Sequence, residues 1–170
     1  MPQLPEAGPY KISLNVLPQL GEILSGKDRK IVFAGIGNVL KKDDGVGVYI
    51  SSRIRERENL KALTVEVSIE NYIGKINSLN PDILILIDCV DMNCPPGTSR
   101  LMRIDEIRDF TFNTHNISLK RITEFFTAEV FILGIQPLNV DFGEKISYLV
   151  ATEANKIIEQ INKEEVSHGS

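Results

Sequence analysis

Five aliphatic residues in a row, Ile83-Leu84-Ile85-Leu86-Ile87, stand between Asp82 and Asp88. The run is far too short to span a bilayer. As a strand, it sends apolar side chains to both sides and so needs cover on both faces. Strands of this kind belong inside parallel sheets packed between helices. A second apolar run, residues 129–135, has the same character. Further strands are expected over 30–34, 63–69 and 98–104. Helical spacing of apolar residues predicts helices over 14–24, 46–57, 72–79, 117–126 and 145–163. The helix over 145–163 places Ile146, Leu149, Val150, Ala154, Ile157, Ile158 and Ile161 on one stripe. Strands and helices therefore alternate. That order predicts an α/β fold: a three-layer sandwich with a central, mostly parallel sheet of about five strands flanked by helices.

A chain of 170 residues suits one such domain. We place it over 30–163, after an N-terminal extension with a short helix (1–29) and before a polar tail (164–170). The net charge of −4 argues against a nucleic-acid partner, which needs a concentrated basic face. Met1 to Tyr10 has neither a cationic start nor an apolar stretch, so a cytoplasmic location without membrane insertion is expected. Cys89 and Cys94 are too few for a disulfide framework and read as a buried thiol and a loop thiol.

In open α/β sheets, ligands bind beyond the carboxyl ends of the strands. Asp44 follows the first strand, Asp88 ends the third, and His115 lies in a polar loop after the fourth. Taken singly, Asp43, Asp44, Asp88 and Asp91 are ordinary helix caps or turn residues. Taken together, acids after successive parallel strands suggest a shared site, because crowded like charges favour a bound cation or a raised pKa. His115 is either a surface histidine or the imidazole that would complete such a set for a borderline divalent metal. Gly35-Ile36-Gly37-Asn38-Val39-Leu40 hints at a dinucleotide loop. However, Leu40 occupies the place of the third glycine, and Asp43 and Asp44 would repel a pyrophosphate. No organic cofactor is expected, and the glycines read as a tight turn. A receiver-like phosphoacceptor domain is the alternative suggested by the strand ending in Asp88. Receivers carry their acidic pair directly after the first strand, whereas Gly35 to Lys42 intervenes here. They also end their fifth strand near a lysine, where this chain has Ile135-Gln136-Pro137.

Four motifs then fall in order. Gly35 to Gly47, with Asp43-Asp44-Gly45 inside it, resembles the N-terminal motif of the [NiFe] hydrogenase maturation proteases. Asp88-Cys89-Val90-Asp91, followed by Pro96-Gly97-Thr98, is similar to their second motif. Thr114-His115-Asn116-Ile117-Ser118-Leu119 is similar to their third. Leu133-Gly134-Ile135-Gln136-Pro137 resembles their final strand, particularly in the branch that processes hydrogenase 3. The resemblance implies a C-terminal processing endopeptidase, in which Asp44, Asp88 and His115 are the catalytic and metal-binding residues. It implies as partner a hydrogenase large-subunit precursor with a C-terminal extension, and nickel delivered within that precursor. A non-catalytic metal-binding maturation factor is a further alternative. The chain departs from the family after its second strand, where a glycine-containing turn is usual and Val67-Ser68-Ile69-Glu70-Asn71 stands instead.

Overall fold

The computed structural model describes residues 16–26, 28–104, 111–112 and 119–163. In chain order its strands are β1 (Ile31–Ile36), β2 (Leu60–Glu66), β3 (Ile83–Asp91), β4 (Ser99–Arg103), β5 (Thr111–Phe112) and β6 (Glu129–Ile135). The helices are α1 (Leu17–Leu24), α2 (Val46–Ser51), α3 (Ile73–Leu79), α4 (Leu119–Thr123) and α5 (Tyr148–Lys163). The aliphatic run lies where its composition demands, in the centre of the sheet. β3 pairs in parallel with β1 on one side, Gly35 opposite Ile87, and with β6 on the other, Asp88 opposite Gly134. β2 extends the sheet in parallel beyond β1, and β4 closes the far edge antiparallel to β6. The order β2-β1-β3-β6-β4 is the mostly parallel sheet expected, and the short β5 pairs antiparallel with the end of β3.

Alternation along β3 divides the core into two faces. Ile83, Ile85, Ile87 and Cys89 join the face covered by α1, α2 and α5, where Leu20, Val46, Ile50, Val150, Ala154 and Ile157 are buried. Leu84, Leu86 and Val90 join the opposite face, with Ile76 of α3 and Ile122 of α4. Because Leu20 and Leu24 of α1, and Val16 at its N-cap, join the first face, the helix of the N-terminal extension shares the domain's core. Among the described residues, no helix is long and apolar enough to cross a membrane.

Several element boundaries differ from expectation, among them the end of β3, which runs past Asp88 to Asp91 because Val90 and Asp91 pair with β5. β2 begins and ends about three residues early. Its register is set by Leu60 opposite Ile31, and Glu66 takes a positive φ of 62° at a bulge that ends the strand. The β-branched residues beyond it do not pair, and residues Ile69–Tyr72 form a 3-10 turn. α2 stops at Ser51 rather than near Arg57, because Arg57 turns back to exchange backbone hydrogen bonds with Leu60. α5 starts at Tyr148, and the preceding residues are held in a loop by an aspartate described below.

Candidate active site

β1 ends at Ile36 and the chain then doubles back over the sheet edge. The next residue is Gly37, at φ 142°, where a Cβ would collide with the carbonyl oxygen of Asp44. A 3-10 turn, Lys42–Gly45, leads into α2. A Cβ on Gly47 would strike the carbonyl oxygens of both Ile36 and Ile87, where the pairing of β1 with β3 ends. The glycines of the first motif thus serve close backbone approach, the tight-turn reading of the sequence. They press the turn carrying Asp44 onto the strand end that carries Asp88.

Asp44 and Asp88 are both buried. Asp44 Oδ2 accepts a hydrogen bond from the Asn38 N–H at 3.1 Å, and Asp88 Oδ1 accepts one from the Cys89 N–H at 2.8 Å. The 3-10 turn that carries Asp44 contacts β3, the strand that carries Asp88. His115 lies outside the described residues, and β5, which ends just before it in sequence, pairs with Val90 and Asp91 of β3. Among the described residues, no three His, Cys, Asp or Glu side chains gather as a set that could hold an ion.

Asp43 has a different task from its neighbour. It is fully buried, and its Oδ2 accepts the N–H groups of Leu138 at 2.9 Å and Asn139 at 3.0 Å. Its Oδ1 accepts the Ser147 N–H at 2.7 Å, and the Ser147 hydroxyl lies within 2.9 Å of both oxygens. The sequence reading grouped Asp43 with Asp44 and did not foresee this division. No local signal could have revealed it, because Ser147 is 104 positions away along the chain.

Gln136 is a second residue whose role was missed, although the break from the receiver pattern had drawn attention to its position. It is buried at the end of β6. Its Oε1 accepts the Met92 N–H at 2.6 Å and its Nε2 donates to Asp91 Oδ1 at 3.2 Å, fastening the loop after β3. Asp91 is therefore a loop anchor in this arrangement. An amide at this strand end and an antiparallel β4 at the sheet edge both depart from the receiver-like reading.

Cys89 is buried, Cys94 is partly buried, and the two are not joined in a disulfide. Thiol titration of the denatured, unreduced protein should count two; a count of zero would refute free thiols.

The sequence model of one family, HycI, described as hydrogenase maturation protease, matches residues 46–164. A candidate hydrogenase maturation protease of Methanocaldococcus jannaschii is 32% identical over 144 residues, covering 76% of this chain and 85% of its own length. Among solved structures, the [NiFe] hydrogenase maturation protease HycI from Thermococcus kodakarensis superimposes with a TM-score of 0.75 at 25% identity, over 86% of this chain and 97% of that one. The endopeptidase HycI from Escherichia coli gives 0.67 at 26% identity, over 82% and 94%.

Proposed function

Since the chain belongs to the hydrogenase maturation protease family and is an endopeptidase of that class, we propose that it removes the C-terminal extension of a [NiFe] hydrogenase large-subunit precursor after nickel has been inserted. The observation that carries this reading is the pair of buried aspartates: Asp88 in β3, just past the last residue paired with β1, and Asp44 in the 3-10 turn that follows β1 and contacts β3. Burying carboxylates is costly unless they are hydrogen-bonded or meet a cation. With His115 they make a set of hard oxygens and one imidazole, which suits a borderline divalent ion. The set leaves coordination positions open, so it fits an ion that arrives with ligands of its own.

In this reading the nickel is part of the substrate. Asp44, Asp88 and His115 receive it and thereby hold the precursor's C-terminal segment at the strand-end edge. Hydrolysis adds water across the scissile bond: the hydroxyl goes to the carbonyl carbon, the C–N bond breaks, and the amine leaves with a proton. An oxygen of Asp44 or Asp88 acts as general base for the attacking water, which makes the site aspartate-based. The work is cytoplasmic, requires no organic cofactor, and is done by a domain whose core takes in α1 as well as residues 30–163.

The test compares nickel-loaded with nickel-free precursor by mass spectrometry of the large subunit. The loaded form should be shortened at least about 50-fold faster, a difference of roughly 2.3 kcal/mol in transition-state binding. Equal rates would refute gating by the substrate's metal. A precursor that is bound but never shortened would favour the non-catalytic maturation factor.

A further inference from the structure

Asp43 is a fully buried carboxylate to which the reaction above gives no part. Its acceptor capacity goes to one surface segment. The Leu138 and Asn139 N–H groups approach one oxygen, the Ser147 N–H approaches the other, and the Ser147 hydroxyl reaches both. The Asp43 N–H in turn donates to the Asn139 carbonyl at 3.0 Å. Further along, the Lys42 N–H donates to the Gly143 carbonyl at 2.7 Å, and the Gly143 N–H donates to the Leu40 carbonyl at 2.9 Å. Residues 40–43 and 138–147 are therefore joined along their length.

The segment held in this way presents apolar side chains to solvent. Phe142 is 83% exposed and Leu138 60%, and across the backbone ladder Leu40 is 52% exposed. Val39, the neighbour of Leu40, is exposed as well. Single exposed apolar residues are commonplace, but a group on two joined segments marks an interaction surface. A loop serving only to connect β6 to α5 gains nothing from presenting them, and charge buried on its behalf is costly. The surface adjoins the turn that carries Asp44, because Asp43 of the same 3-10 turn, Lys42–Gly45, holds the loop.

We propose that Asp43 is a positioning residue: it locks residues 138–147 against the turn bearing Asp44, so that Leu40, Leu138 and Phe142 form the docking surface for an apolar stretch of the precursor beside its cleavage site. The proposal rests on the precursor reading above. It adds a specificity determinant whose position relative to Asp44 is set by one carboxylate. Asp43→Asn would retain a single acceptor oxygen and place an amide NH2 against N–H donors, loosening the loop without removing a core side chain.

The experiment measures binding and cleavage of the nickel-loaded precursor separately. Phe142→Ala and Leu138→Ala change exposed positions and leave the fold alone. Each should weaken precursor binding and raise KM about fivefold or more, with kcat within about twofold of wild type. Asp43→Asn should speed amide exchange at Leu138, Asn139 and Ser147 while leaving Ile83 to Ile87 protected, and should raise KM about tenfold. If Asp43→Asn does not fold, Ser147→Ala removes only the hydroxyl donor and should raise KM about threefold. Unchanged binding and KM in Phe142→Ala and Leu138→Ala would overturn the docking surface. Faster exchange in Asp43→Asn with an unchanged KM would reduce Asp43 to a structural clamp. Wild-type protein that binds the precursor without cutting it would refute the protease reading and leave the docking result standing on the binding data.

Discussion

Asp88→Asn and Asp44→Asn proteins should cleave the nickel-loaded precursor about 10²- to 10³-fold more slowly than wild type, or not measurably, with melting temperatures close to it. The argument for stability is local. Asp88 Oδ1 accepts the Cys89 N–H, and an asparagine oxygen accepts the same bond. Asp44 Oδ2 accepts the Asn38 N–H, and an asparagine oxygen can do so as well. Removing a buried charge while keeping its shape changes stability by only about 1 kcal/mol in either direction. The argument for activity is electrostatic, because an amide oxygen is a much poorer ligand for a cation and no general base at all. His115→Ala should be equally inactive if the imidazole completes the set. The check pairs a cleavage time course with thermal unfolding of each variant. A fully active Asp88→Asn protein would show that the site is elsewhere, and an unfolded one would show that the residue is structural.

Gly47→Ala should produce the opposite pattern, a loss of stability of about 3 kcal/mol that takes activity with it. The added methyl would press on the carbonyl oxygens of Ile36 and Ile87, which belong to two paired strands and cannot yield independently. For a domain of this size, the loss lowers the melting temperature by roughly 6–12 °C. Gly74→Ala is the internal contrast. Gly74 lies in α3 with no atom near the position of a new Cβ, so the substitution should be neutral or stabilise by about 0.5–1 kcal/mol. Denaturant melts of the two variants side by side decide the matter. Wild-type stability in Gly47→Ala would mean that α2 does not press on the strand ends.

The parts of the fold legible in the sequence were those decided by strong local patterns. The unbroken aliphatic run placed β3 at the centre, and the stripe from Val150 to Ile161 marked α5. What escaped was settled by partners distant in sequence. β2 was displaced because Val67 and Ile69 look like strand residues, while parallel pairing of Leu60 with Ile31 and the left-handed backbone at Glu66 decide its ends. Glu66 also occupies the neighbourhood where the family usually has glycine, so the turn keeps a glycine-like backbone without the residue. At the site, the spacing of acids after successive strands suggested a shared site among Asp43, Asp44, Asp88 and Asp91, and the family resemblance selected Asp44 and Asp88 from them. The same spacing made Asp43 look like half of an acidic pair, and only its contacts with Leu138, Asn139 and Ser147 show it to be a clamp. His115 was chosen from its motif and lies outside the described residues.

The packing of α5 against both α1 and α2 has a consequence for how the chain acquires its structure. Val16 and Leu20 share one core with Val150, Ala154, Ile157 and Ile161. β1 must find β3 some fifty residues later, and β3 must wait as long again for β6. Few of these contacts can form early during synthesis, because closing long loops costs entropy before burial compensates for it. Refolding should therefore occur over milliseconds to seconds rather than microseconds. A nascent chain halted before Ser147 would carry Asp44 and Asp88 but neither the Ser147–Asp43 clamp nor a sealed core, so competence to cut would arrive only once α5 has been made.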